Sequence, residues 1–152
     1  MERSLPQISP RARYLGCAVV ALLALVGTWG HNIAYLPAGF VGANLQFWQD
    51  TLQNPAARSI TFDLFALVIP VLVWMFSEAR RLAMPGIWLY VIASILVAIS
   101  VAFPVFLMHR THVQQQRGEL AALQLSLGDK VGLALLSALA LSYLLWSFGW
   151  LG

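Results

Sequence analysis

Charged residues are scarce in this sequence: six acidic and nine basic side chains make up 10% of 152 residues, while hydrophobic residues make up 60%. Soluble domains carry roughly 25% charged and about 45 to 50% apolar residues. A soluble fold of this length could not bury so much apolar surface. The composition therefore excludes a soluble protein and predicts one whose helices lie in lipid.

Cysteine is nearly absent as well, and so are the motifs of soluble enzymes. Cys17 stands alone in an apolar run, which excludes an intramolecular disulfide and a cysteine metal site and favours a packing thiol. No phosphate-binding glycine loop, metal-binding histidine pair on a helix or nucleophile elbow is present. The basic residues are scattered and form no patch, so we expect lipid headgroups and not nucleic acid as their partners.

Four apolar stretches are long enough to cross a membrane, which needs about 20 residues. The first follows three arginines as in a signal peptide, but it continues to Leu36, so we interpret it as a retained helix. Asn54 and Pro55 are a cap and first-turn pair that begins the second. The sequence predicts one all-α membrane domain over 1–152, a bundle of four transmembrane helices over about 14–36, 55–82, 86–110 and 129–151.

Two features outside this pattern concern packing. Residues 40–53 place Val41, Leu45, Trp48 and Leu52 at helical spacing, which predicts a short amphipathic helix in the plane of the interface. In the fourth span, small residues recur every fourth position and permit close contact with another helix, in a homo-oligomer or a larger membrane complex. They are Ala134, Ala138 and Ser142.

The basic residues give a weak orientation signal. With four full crossings, five lie on the side of the N-terminus and four on the other. Because three arginines crowd the start of the first span, we expect both termini in the cytoplasm. The predicted location is the inner, cytoplasmic membrane of a bacterium.

Asp63 is the acidic residue inside an apolar span, where an ionisable group is costly and usually functional. Four crossings would bring it to one leaflet with His31 and Arg110, which could supply counter-charges. We therefore predict a one-leaflet polar pocket with Asp63, His31 and Arg110 as catalytic residues. The simpler alternative is that Asp63 only ties two helices together. The residues expected to contact a ligand are Asn32, Trp48, Trp74, Tyr90 and His109.

The run from Asn54 to Arg110 resembles a family of small bacterial membrane proteins known only as a domain of unknown function. The resemblance rests on "NPAARSITFDL", "VWMFSEARRLAM", "WLYVIASILVAISVAFPVFL" and the closing Arg110. It implies a membrane location and no particular activity. A fainter similarity, carried by "FDLF", the segment 78–81 and Pro104, is to plant and cyanobacterial membrane proteins needed for neoxanthin formation. Those proteins have a histidine shortly before the aspartate, where this chain has "ARSITFD".

Three functions fit these features. In the first, the pocket binds or converts an apolar, isoprenoid-like or carotenoid-like ligand, with Asp63 as acid or base. In the second, the chain is a non-enzymatic subunit of a larger membrane complex; in a pigment-binding variant of it, His31, four residues after Gly27, ligates a chlorin. Transport is the third, although no paired broken helices are visible. The sequence identifies no cofactor and does not decide whether the protein is an enzyme.

Overall fold

The computed structural model describes residues 7–150, and they confirm the predicted fold class. The chain is helical almost throughout, with four helical segments long and apolar enough to cross a membrane. Its helices are α1 (Pro10–Asn32), α2 (Gly39–Asp50), α3 (Pro55–Arg81), α4 (Ile87–Ala93), α5 (Ile99–Gln116) and α6 (Leu127–Ser147). A 3₁₀ turn, Ile33–Ala38, joins α1 to α2, and two short strands, β1 (Gln7–Ile8) and β2 (Leu123–Gln124), pair in antiparallel fashion.

Local sequence signals set where the long helices begin. The Asn54 side chain accepts a hydrogen bond from the Ala57 N–H at 2.9 Å, and Pro55 follows as the first residue of α3, as the sequence predicts. Ser9 and Pro10 start α1 in the same way. Ser126 and Asp129 form a reciprocal capping box at the start of α6. These caps satisfy N–H groups that a helix start would otherwise leave without partners.

The predicted interfacial helix is present as α2. It folds back toward the end of α1, because the Tyr35 hydroxyl donates a 2.7 Å hydrogen bond to the Asp50 carboxylate. Trp48 of α2 stacks on Phe65 of α3, with 5.6 Å between the ring centroids. Thus α2 is held against the beginning of α3.

The third apolar segment does not follow a straight path. The sequence predicts one helix over 86–110, whereas the structure has α4, a wide π-helical turn at Ser94–Ala98, and α5. Ala98 has extended backbone angles, φ −179° and ψ 144°, and the chain reverses there. The Tyr90 hydroxyl consequently lies 2.9 Å from His109 Nδ1, although a straight helix would separate these residues by about 28 Å. We call α4, the turn and α5 the hairpin.

Contacts between the helices divide the bundle into two ends. At the end where α1 begins, the Tyr14 hydroxyl donates a hydrogen bond to Gln115 at 2.9 Å, and β1 pairs with β2. We call the end where α1 and α6 begin, and where α3 and α5 finish, the basic end. At the far end, where α1 finishes, the His31 ring stacks on Phe148, 4.4 Å between centroids. Gln7 and Trp150 therefore lie at opposite ends of α1. The expected cytoplasmic side of the two chain ends stays a prediction.

The core lies near the basic end, between α3 and the hairpin. Three side chains there have essentially no solvent exposure, namely Met75, Leu82 and Phe106. Ala79 and Met84 complete this cluster. By contrast, no residue of α6 is buried, so α6 presents nearly its whole surface to the surroundings.

Candidate functional site

A carboxylate shared between two arginines lies at the basic end. Glu78 Oε1 accepts hydrogen bonds from Arg81 Nη2 at 2.8 Å and from Arg110 Nε at 2.7 Å, and Glu78 Oε2 accepts from Arg81 Nε at 2.8 Å. Arg81 also reaches Glu119, at 3.5 Å. The Glu78 side chain is only 11% exposed, so its charge depends on these donors. The cluster joins α3 to α5.

Arg110 has an aromatic partner besides Glu78. Its guanidinium carbon lies 5.6 Å from the Trp74 ring centroid, within the range of a cation–π interaction. Trp74 in turn makes edge contacts with Phe103 and Phe106 of α5. The charged cluster thus continues directly into the aromatic part of the core.

Tyr90 and His109 form a second polar pair, next to Arg110 on α5. Their hydrogen bond, 2.9 Å between Oη and Nδ1, joins the two limbs of the hairpin, and Tyr90 also makes an edge contact with Phe106. The sequence predicts both residues as ligand contacts, and the structure brings them together. The pair shares one hydrogen bond, which uses Nδ1 of the imidazole.

An apolar groove begins beside this pair. It runs between α4 and α5, has a volume of about 410 Å³ and is partly open to the surroundings. Apart from Tyr90 and His109, the side chains that line it are apolar, mainly Leu89, Ala93, Val97, Val101 and Val105. We call it the hairpin groove. The groove shares the apolar lining and the few polar groups of small-ligand sites, but it is open along one side and does not enclose a ligand.

The predicted cluster of Asp63, His31 and Arg110 is not formed, and this expectation of the sequence is wrong. Arg110 is bound to Glu78 at the basic end because the hairpin returns the chain there. Asp63 precedes Glu78 by fifteen positions in α3, about 22 Å along the axis. It is exposed and has no side-chain hydrogen bond within residues 7–150. Its catalytic role stays a prediction, without a shared site to support it.

His31 has different partners from those expected. Its Nε2 lies 3.1 Å from the Ser147 hydroxyl, and its ring stacks on Phe148, which stacks in turn on Trp150. Gly30 makes this possible, since a Cβ at that position would overlap the Phe148 ring. His31 therefore attaches α6 to the far end of α1.

The remaining predicted site residues are divided between the two ends. Asn32 ends α1 at the far end and is half-buried. Trp48 is 46% exposed and packs on α3, whereas Trp74 contacts Arg110 of the Glu78 cluster. The residues proposed for helix packing all lie exposed on α6 and touch no other helix of the bundle closely; they are Ala134, Ala138 and Ser142.

Sequence reasoning did not single out Glu78 as a centre of the structure, nor the buried Thr111 and Gln114 of α5. A signal for Glu78 exists, because Arg81 follows it at the i,i+3 spacing of a helical ion pair. Its second partner, Arg110, depends on the fold of the hairpin. Over residues 7–150, no group of three or more histidine, cysteine or acidic side chains could hold a metal ion.

Comparison with known proteins places the chain in a family. A family model described as a protein of unknown function, DUF2834, matches residues 17–112, which include α2, α3, most of the hairpin and the part of α1 from Cys17 onward. The match extends upstream of the resemblance seen in the sequence, which begins at Asn54. No curated protein and no solved structure matches the chain. The matched segment contains the Glu78 cluster and the hairpin groove but not α6, and the chain belongs to the DUF2834 family.

Proposed function

We propose that this protein binds an apolar, isoprenoid-like ligand in the hairpin groove, with the polar end of the ligand at Tyr90 and His109. The observation that carries the proposal is the groove itself: about 410 Å³ of apolar concavity that ends in one hydrogen-bonded tyrosine–histidine pair. The distance along α5 from Val101 to His109 is about 12 Å, which suits a short branched hydrocarbon segment.

The chemistry of the lining favours this class of ligand. Hydrocarbon packs against Leu89, Val101 and Val105 without leaving any polar group unsatisfied. A hydroxyl or carbonyl at the head of the ligand would exchange hydrogen bonds with the Tyr90–His109 pair. An ordinary phospholipid fits less well, because two acyl chains and a phosphate exceed what this lining offers. The proposal concerns binding, since Asp63 is not among the residues that line the groove.

The first test is the identity of whatever copurifies with the full chain in mild detergent, read by absorption and mass spectra. Ala93→Phe fills the groove, while Ile95→Phe places the same bulk on a side chain that is 76% exposed and outside the groove. We expect an isoprenoid lipid or pigment in the wild type and in Ile95→Phe, and at least a tenfold loss in Ala93→Phe. Only phospholipid, in equal amounts in all three proteins, would refute the proposal.

The polar end is tested separately. Tyr90→Phe keeps the ring contact with Phe106 and removes the hydroxyl. A net hydrogen bond contributes about 1 kcal/mol, so we expect a roughly fivefold loss of ligand affinity with the apolar contacts intact. Unchanged affinity would mean that the head of the ligand does not lie at this pair.

A second candidate function, an accessory subunit of a larger membrane complex or a homo-oligomer, is favoured by α6. Its small-residue stripe is exposed and unused within the chain, as close packing by another helix requires. A photoactivatable residue at Ala138 should then crosslink to a second polypeptide in native membranes, while the same residue at Leu135 should crosslink less. Crosslinking to lipid alone from both positions would argue against a subunit role.

A further inference from the structure

The two ends of the third apolar segment, Ile87–Gln116, lie at the same end of the bundle. Two independent contacts show it besides the Tyr90–His109 bond. Arg110, late in α5, is bound to Glu78, which lies just before the loop that leads into α4. Further along, β2 pairs with β1, so the chain that leaves α5 meets the chain that enters α1.

The first limb of the hairpin is also too short to cross a bilayer. From Ile87 to the reversal at Ala98 there are twelve residues, about 18 Å of helix. The hydrocarbon core of a bilayer is roughly 30 Å thick. A segment counted as one apolar stretch of 30 residues is therefore two limbs that enter and return.

We infer that the hairpin is re-entrant, and that it fixes the orientation of the protein with the basic end on the cytoplasmic side. Helices α1, α3 and α6 then make three full crossings. The odd number of crossings puts β1 in the cytoplasm and Trp150 on the opposite side. This inference is independent of any ligand in the hairpin groove.

The distribution of charge supports this orientation strongly. Four full crossings divide the nine lysines and arginines almost equally, five against four. With the hairpin returned, seven of the eight basic residues within 7–150 lie at the basic end, and Arg58 alone lies at the far end. The seven are Arg11, Arg13, Arg80, Arg81, Arg110, Arg117 and Lys130. Lysine and arginine concentrate on cytoplasmic segments, and anionic headgroups of that leaflet attract them.

The tip of the hairpin has a donor for its exposed backbone. A reversal inside hydrocarbon frees carbonyl groups that cost several kcal/mol if they find no partner, so irregular backbone survives there only inside protein. The Trp29 indole of α1 donates to the Val97 carbonyl at 3.1 Å, one residue before Ala98. One carbonyl of the turn thus has a partner on α1, as irregular backbone inside a re-entrant hairpin requires.

Cysteine accessibility tests the inference in the full chain, with Cys17→Ser as background. Three exposed positions carry single cysteines, Gln7→Cys, Gln53→Cys and Ala122→Cys. In intact bacterial cells, a membrane-impermeant maleimide should label position 53 only, and permeabilisation should expose 7 and 122. Four full crossings would instead put 53 and 122 on one side, so labelling of both in intact cells would overturn the hairpin. Protection of 53 with labelling of 7 and 122 would overturn the orientation.

Reporter fusions to the unmodified sequence guard against misfolded cysteine variants. Alkaline phosphatase is active only outside the cytoplasm. Green fluorescent protein fluoresces in the cytoplasm but not after export by the general secretion route. With each signal normalised to expression, phosphatase activity should be at least tenfold higher for the fusion after Gly152 than for the fusion after Gln116. Fluorescence should be at least tenfold higher for the fusion after Gln116 than for the fusion after Gly152. A fluorescent fusion after Gly152 would overturn the inference.

Discussion

Glu78→Gln should be among the most destabilising conservative substitutions in this protein. The variant keeps the shape of the side chain and removes the charge that holds two guanidinium groups. Arg110 is the partner that decides the magnitude, because its side chain is only 28% exposed, whereas that of Arg81 is 51% exposed. Breaking a buried pair costs about 3 to 5 kcal/mol, and an exposed pair contributes about 0 to 1 kcal/mol. For this partly sheltered cluster we expect a loss of about 2 to 4 kcal/mol in the free energy of unfolding.

The assay is unfolding of the full chain by SDS in mixed micelles, followed by circular dichroism. Arg110→Gln should cost nearly as much as Glu78→Gln, and Arg81→Gln about 1 kcal/mol or less. Asp63→Asn is the matched control, since it removes an exposed carboxylate from the same helix, and it should change stability by no more than about 0.5 kcal/mol. A double-mutant cycle should show that Glu78 and Arg110 are coupled by at least about 1 kcal/mol. Equal costs for Glu78→Gln and Asp63→Asn would refute this reasoning.

Two further predictions use the same unfolding assay. Trp29→Phe removes the hydrogen bond to the Val97 carbonyl and should lower the free energy of unfolding by about 1 to 3 kcal/mol. Trp88→Phe, at a residue that is 65% exposed, should lower it by less than about 1 kcal/mol. Equal effects would mean that the Trp29 indole does not stabilise the turn. Gly30→Ala should destabilise the protein, because the added Cβ displaces the Phe148 ring from His31. Gly16→Ala, with open space around it, should instead stabilise α1 by up to about 1 kcal/mol. A change of the same sign in both variants would contradict the close approach of α1 and α6.

Much of the architecture could be predicted because its signals are local. Asn54 and Pro55 place the start of α3 correctly, and the apolar positions of 40–53 predict α2. These features depend on helical periodicity and capping, which act over a few residues. For the same reason, the predicted end of α3 lies within one residue of the observed end.

The reversal at Ala98 has no comparable local signal. No glycine or proline lies at the turn, and Pro104 lies within α5. Its causes are contacts distant in sequence, from Trp29 and between Tyr90 and His109. Because the path of the hairpin decides which end of the bundle receives Arg110, the predicted pocket around Asp63 failed with it. Asp63 drew attention as a solitary acid, while the acid that organises the structure, Glu78, sits among arginines at a helix end.

The pairing of β1 with β2 bears on the order in which the protein can assemble. Gln7 emerges from the ribosome before α1, and its partner Gln124 only after α1 to α5 have been made. Until then, the first segment has no strand to bind. β1 and β2 can therefore pair only once α5 has returned to the side of the membrane from which α4 started. A chain in which residues 87–116 crossed the membrane completely during synthesis would leave both strands unpaired.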